Sequence, residues 1–424
     1  MQIVYLDFDR GIPVLGDKGG SVHVRAVVTA LARLGHQVTL LCSRAGEGNA
    51  PPPGRLIELA PEVGAAALAA ECGYLGLPTQ ALDDPLVRRE VTVLAHDRSL
   101  PARARAALNE AGVRPDLVYE RHALFHVAGI AVAAAFGVPR ILEVNAPLAE
   151  EQERYRGLAL RDVAAAREAR SWRGAGLAVA VSDDVRTRLL AAGVPGERVM
   201  VGQNGVDTTL FRRNSPENAA GAAEVRRHWR LGDDPVIGFI GSFKAWHGVD
   251  FLIDAVARLH AERPRLRLLA VGEGPRLAEA RARVAALGLE EAVAFTGALP
   301  HAAIPAHLAA MDLTVAPYPA QAGFYFSPLK VVESLASGRP VVAPRIGQIE
   351  SLVQDGITGL LYPPDDLDAC VAAIGRLLEV PGLCGRLGAQ AAARARVEWD
   401  WTVLVDRVLA RGAARHPALL DAAG

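Results

Sequence analysis

Short runs of β-branched and apolar residues alternate along this chain with longer Ala/Leu/Arg stretches of helical period, and the alternation starts afresh in mid-chain. A hydrophobic period of two suits a strand and one near 3.6 suits a helix, so the pattern dictates a doubly wound α/β fold with parallel strands. The first series predicts strands at 2–8, 37–42, 116–120, 140–144 and 177–181. The second predicts them at 236–242, 266–272, 292–297, 313–317 and 340–344. Between them, a less regular insert opens at Pro51-Pro52-Pro53 and runs to about residue 92, with Ala-rich parts that suit helices.

A chain of 424 residues is long enough for two cores of roughly 200 residues each. The polar segment RRNSPENAAG, following VMVGQNGVD at 199–207, separates the two series. The expected division is an N-terminal domain at 1–205, a C-terminal domain at 206–396 and a helical segment at 397–424 that packs back on the N-terminal domain. Each half opens with a strand and a glycine-containing turn, which implies two Rossmann-like domains facing a cleft. Open parallel sheets bind ligands outside the carboxyl ends of their strands, so the loops there are the places to search.

Several classes drop out on composition. A formal net charge of -1 offers no general attraction to nucleic acid. Cys42, Cys72, Cys370 and Cys384 are scattered without C-x-x-C spacing, so neither a disulfide framework nor a zinc site is expected. The start, MQIVYLDFD, enters a strand at once and lacks the basic and apolar regions of a signal peptide, which points to the cytoplasm. The apolar run from Ala123 falls short of the ~20 residues of a membrane span and suits a buried helix. Arg88, Arg89, Arg103 and Arg105 could form a basic flank against an anionic membrane or acceptor.

Three loops could hold a phosphate. In GDKGGSVHVRAVV, Gly19 and Gly20 precede Ser21, expected as a helix N-cap, and bare backbone at a helix N-terminus favours an anion. A tight strand-to-helix turn would use the same glycines. In IGSFKAWHGVDF, Ser242, Lys244 and His247 lie between Gly241 and Gly248, where Lys244 could act as a point charge and the other two as donors to a diphosphate. In VGEGPRL, Glu273 sits in a third such turn. Lysine sharpens the selection. Only Lys18, Lys244 and Lys330 are lysine among 46 basic residues, and each lies at one of these loops or in SPLK. A compact ammonium is not interchangeable with a planar guanidinium.

Taken together, GGSVHV, NGVD at the domain junction, VGEGP, FTG and SPLKVVESLASGRPVVAPRIGQIESLVQDGITGLLYPPDD resemble the family 4 glycosyltransferases of GT-B fold, most strongly from Asn204 to about Asp366. The resemblance implies a retaining transfer of a hexose-type sugar from a UDP- or GDP-sugar to an acceptor glycan, lipid or small molecule. The nucleotide-diphosphate sugar would be a co-substrate, with no bound metal or other cofactor. Glu333 matches the second glutamate of the family's E-x7-E motif, which holds the ribose hydroxyls. Phe326, Ser327, Pro328 and Leu329 would present backbone N–H groups to the diphosphate, and Lys330 would add charge or brace the helix. Phe295 and Thr296 match the strand end bordering the base. Gly19 and Gly20 match the N-domain glycine turn, and that domain would face the acceptor.

Departures from the family pattern are equally specific. Tyr325 stands where the first glutamate of the motif contacts the donor sugar, and Asn145 stands where an N-domain histidine commonly faces the reaction centre. His122, in YERH, is the other candidate for that centre, and Lys244 is the expected cation of the diphosphate loop. His122 also suits a hydrogen-bonded structural histidine, and Glu120 and Arg121 could pair beside it. Two other functions stay open: a non-catalytic nucleotide-sugar-binding partner subunit, and a GT-B epimerase acting on a UDP-sugar.

Overall fold

The computed structural model describes residues 1–320, 324–325 and 327–414. Its contacts divide the chain into two units, residues 1–203 with the segment from Trp401 onward, and residues 204–400.

Unit 1 is built on a seven-stranded parallel sheet. Its strands are β1 (Gln2–Asp7), β2 (Gln37–Cys42), β3 (Arg55–Glu58), β4 (Leu117–Arg121), β5 (Arg140–Val144), β6 (Leu177–Ala180) and β7 (Val199–Val201), in the order β3-β2-β1-β4-β5-β6-β7. Strands covered on both faces become nearly continuous apolar runs, and Ile3, Val4, Tyr5 and Leu6 of β1 are all buried. The helix Gly19–Arg33 buries Val24, Val27, Val28 and Leu31 at helical spacing. It starts at Gly19 with Lys18 in the cap position, so Ser21 is no cap; its buried hydroxyl has no partner among the described residues.

The insert is more regular than its composition suggested. Arg55–Glu58 adds β3 to the sheet edge, and helices follow at Ala65–Leu75 and Pro85–Glu110. The Asp84 side chain caps the second of these by accepting from Leu86 N at 2.7 Å and Val87 N at 3.2 Å, with Pro85 in the first turn. Helix Trp401–Ala413 packs on helix Gly19–Arg33, where the His23 and Trp401 rings meet edge to face at 4.8 Å.

Unit 2 holds a six-stranded parallel sheet: β8 (Val236–Ile240), β9 (Arg267–Val271), β10 (Val293–Phe295), β11 (Leu313–Val315), β12 (Val341–Pro344) and β13 (Gly359–Tyr362), in the order β10-β9-β8-β11-β12-β13. Two buried clusters form its core. Phe239, Leu252, Ile253, Val256 and Leu259 belong to one, and Val236, Leu308, Val331, Val332 and Leu335 to the other. Both units therefore have Rossmann-like parallel sheets.

The strand order reverses between β1 and β4 in unit 1, and between β8 and β11 in unit 2. Such a switch point splays the loops on either side and opens a crevice at the carboxyl ends. In unit 2 the flanking described segments are 241–248 and 316–320, with 327–328 leading into helix Leu329–Ala336. No helix among the described residues is long and apolar enough to cross a membrane.

Candidate functional site

The segment leaving β8 is forced into a tight path by two glycines. Gly248 has φ +66°, and a Cβ there would stand 1.7 Å from the Pro317 carbonyl oxygen, so the loop lies directly against the segment that leaves β11. Gly241 has φ +146°, and a Cβ there would meet Lys330 Nζ at 3.3 Å and His247 Nδ1 at 3.5 Å. The loop after β9 braces the same turn, with Phe243 N donating to the Glu273 carbonyl at 2.8 Å while the Glu273 side chain is exposed.

His247 closes this loop on itself. Its Nδ1 donates to the Ser242 carbonyl and lies 3.2 Å from Ser242 Oγ. Burial, together with the nearby Lys330 charge, pushes its pKa down to about 3. A neutral ring whose Nδ1–H is committed in this way keeps only a lone pair on Nε2. His247 therefore braces the loop, and in this state its ring offers no N–H to a phosphate, in contrast to the donor role that the sequence suggested. Lys244, by contrast, is exposed, with Nζ 4.8 Å from the centre of the Trp246 ring.

Lys330 occupies the first turn of helix Leu329–Ala336, and its Nζ is buried with no hydrogen-bond partner among the described residues. Aromatic faces flank it, Tyr318 at 4.3 Å and Phe239 at 4.8 Å. Burial pushes its pKa down to about 7. The helix has no acidic residue in its first turn and no side-chain cap. Val331 N donates to the Pro328 carbonyl at 3.0 Å, while the Leu329 and Lys330 N–H groups have no acceptor among the described residues; with the positive end of the dipole they join a buried ammonium beside the Gly241 turn.

Two further contacts fix the helix entry and its far face. Asn204, of the NGVD motif, donates from its backbone N to Ser327 Oγ at 3.2 Å and from Nδ2 to the Ser327 carbonyl at 2.7 Å. Glu333 is 8% exposed and accepts from His301 Nε2 at 2.8 Å. Neither partnership was legible in the sequence, since the partners lie 123 and 32 residues apart. Tyr325 is half-buried, as is Leu329, Pro328 is buried, and Phe326 lies outside the described residues. Phe295 is a core residue packed 5.9 Å from Phe243, so its ring is not presented to a base; Thr296 Oγ1 donates to the Gly297 carbonyl at 2.8 Å.

Unit 1 carries the remaining candidates. Gly19 and Gly20 begin their helix, and Lys18 Nζ donates to the Gly11 carbonyl at 3.2 Å. The His122 ring is buried, with Nε2 bound to Glu168 at 3.1 Å, and the same Glu168 oxygen accepts from Leu148 N and Ala149 N. That bond gives His122 a structural partner, while its Nδ1 is buried and has no partner among the described residues. Asn145 is half-buried and its Nδ2 has no partner among the described residues.

Glu120 pairs with Arg140, not with Arg121, because successive residues of a strand point to opposite faces. Arg121 instead lies on the face of Glu143, its register partner, beside Asp7 at the end of β1. Both Asp7 oxygens and the Arg121 Nε and Nη1 are buried and unpartnered among the described residues. Burial pushes the Asp7 carboxyl up to about 8, against the pull of Arg121. Burial also acts to raise Glu143, but His23 at 2.7 Å, with Arg121, outweighs it and holds that carboxyl low. A row of register neighbours would have revealed this cluster in the sequence once the strand ends were aligned.

Both units match known families. Residues 18–210 match the family described as Glycosyltransferase Family 4, and residues 234–380 match Glycosyl transferases group 1. The chain is 31% identical over 416 residues to the D-inositol 3-phosphate glycosyltransferase of Acidothermus cellulolyticus, covering 92% of this chain and 85% of that protein. It is 34% identical over 224 residues to the GDP-mannose-dependent alpha-(1-6)-phosphatidylinositol monomannoside mannosyltransferase of Mycolicibacterium smegmatis. That match spans 52% of this chain and 58% of the relative. Among solved structures, Anabaena HepE in complex with UDP shares the fold with a TM-score of 0.69 at 21% identity, covering 98% of this chain and 100% of that one.

Proposed function

Because this chain belongs to the family 4 glycosyltransferases, enzymes of GT-B fold that transfer a sugar from a nucleotide-sugar donor, we propose that it moves a hexose-type sugar to an acceptor hydroxyl with retention of anomeric configuration. Unit 2 holds the donor. The observation that carries this reading is the convergence at the β8/β11 switch point of a helix N-terminus without a side-chain cap, the buried Lys330 ammonium and the exposed Lys244. All three favour a diphosphate. UDP- and GDP-sugars are the donors proposed. HepE was solved with UDP, and the mycobacterial relative is described as GDP-mannose-dependent, which supports either base.

In the proposed step, the C1–O bond to the diphosphate breaks and its electron pair stays on the phosphate oxygen. The acceptor oxygen bonds to C1 from the same face and passes its proton to that departing oxygen. Lys244, Ser242, the Ser327-Pro328-Leu329 turn and the first N–H groups of the helix hold the phosphate charge as it grows. Tyr325 takes the donor-sugar side, where its hydroxyl offers a hydrogen bond in place of a carboxylate. The acceptor falls to unit 1, where groups on Arg121 and Asn145 without a partner among the described residues, together with Asp7 and Glu143, combine donors and acceptors as a polyhydroxylated ligand requires.

Two expectations test this reading. Glu333→Ala should weaken nucleoside diphosphate binding by about 2 kcal/mol, since it removes charge-assisted bonds to the ribose; unchanged calorimetric affinity would reject the ribose role. The step uses no metal, so turnover should persist in EDTA, and activity lost to EDTA and restored by Mg2+ would contradict it.

A further inference from the structure

We infer that His301 is a positioning residue for the donor's ribose, acting through Glu333; the inference rests on the ribose reading of Glu333. Its ring sits on a single 3-10 turn, His301–Ala303, that leads directly into helix Ile304–Ala310. On one side it packs against Phe211, which is 1% exposed, with ring centres 5.6 Å apart. On the other side Nε2 lies 2.8 Å from Glu333 Oε1. An ionised carboxylate only accepts, so the Nε2 of His301 carries the proton.

This arrangement divides the work of the carboxylate. A glutamate side chain has three rotatable bonds, and ordering it for a ligand costs free energy at the moment of binding. Pinning Oε1 beforehand removes most of that cost and fixes the plane of the group. Oε2 makes no hydrogen bond to any described residue, and Oε1 retains a second lone pair. Two acceptors held in one plane suit two adjacent hydroxyls. The ligand class is therefore a ribonucleoside diphosphate with its 2′ and 3′ hydroxyls both free. Phe211 belongs to the same junction segment as Asn204, which grips Ser327, so one stretch of chain steadies both the ribose ligand and the entry to the helix.

The test is calorimetric titration of UDP and GDP, with whichever binds the wild type then compared with its 2′-deoxy counterpart. Wild type, His301→Ala, His301→Gln and Glu333→Ala are titrated alike. Wild type should prefer the ribo form roughly 10-fold. His301→Ala should reduce that preference to about 2-fold while changing 2′-deoxy affinity less than about 3-fold, because only the ribose contact depends on the ring. His301→Gln, whose amide N–H can replace Nε2–H, should recover most of the preference.

If His301→Ala keeps the wild-type ratio while Glu333→Ala abolishes it, the positioning role falls and the ribose reading stands. If Glu333→Ala also keeps the ratio, both fall. Equal losses for the ribo and deoxy ligands in His301→Ala, or a glutamine variant no better than alanine, would likewise overturn the inference.

Discussion

Lys244→Ala is expected to lower kcat/KM by about 100-fold or more, the scale of losing one preorganised charge at a developing anion. The loop around Lys244 is fixed by His247 on the Ser242 carbonyl and by Gly248 against Pro317, while the ammonium itself is exposed. Its stacking on Trp246 holds it near the loop without neutralising it. The charge is thus placed in advance and free to act on a phosphate. Binding should separate the effect further: nucleoside diphosphate affinity should fall by about 10-fold, while affinity for the nucleoside alone stays within about 2-fold. Lys244→Arg should rescue little, because a broad guanidinium does not replace a compact ammonium in a tight turn. Equal losses for nucleoside and nucleoside diphosphate would argue that Lys244 supports the fold and not the phosphate.

Lys330→Met should separate stability from binding. The wild-type ammonium is buried between Tyr318 and Phe239 without a hydrogen bond, and its pKa falls from 10.5 to about 7. Between those two values the unfolded chain binds more protons than the folded one, so the wild type's unfolding free energy rises with pH across that window. The burial penalty is therefore full below about pH 7 and is relieved as pH climbs toward 10.5. Methionine removes it at every pH. The ligand-free variant should melt a few degrees higher than wild type near pH 7, a gain on the order of 2 kcal/mol, and the gap should shrink steadily toward about pH 10. Nucleoside diphosphate affinity should move the other way, falling by about 10-fold, because the diphosphate loses a cation in a low-dielectric setting. A variant less stable than wild type at neutral pH, with unchanged affinity, would show that Lys330 is a packing residue.

Much of this architecture was legible before any coordinate. Strands such as β1, β8 and β12 announce themselves because parallel strands buried on both faces leave uninterrupted apolar runs. β3, β7 and β13 are harder to read because all three are edge strands of their sheets, and no residue of β3 is buried, so their apolar runs are short and broken. Lysine scarcity singles out Lys244 and Lys330, which lie in the loop after β8 and in the first turn of helix Leu329–Ala336, and Lys18, whose ammonium donates to the Gly11 carbonyl. His247 looked like a phosphate donor because sequence shows a polar residue in a glycine loop but not where its proton goes. The side chains of His122 and Phe295 are buried, since a strand-end residue can turn toward the core as easily as toward a ligand. The contacts that steady the site, His301 on Glu333 and Asn204 on Ser327, bridge long stretches of chain, and only the folded unit brings them together.

The central claim is that unit 2 holds the donor nucleotide at the β8/β11 switch point, and hydrogen–deuterium exchange tests it most directly. Saturating UDP or GDP, whichever raises the melting temperature, should slow exchange at the amides of 241–249 and 327–336. Protection confined to unit 1, with those two segments exchanging at their ligand-free rates, would contradict it.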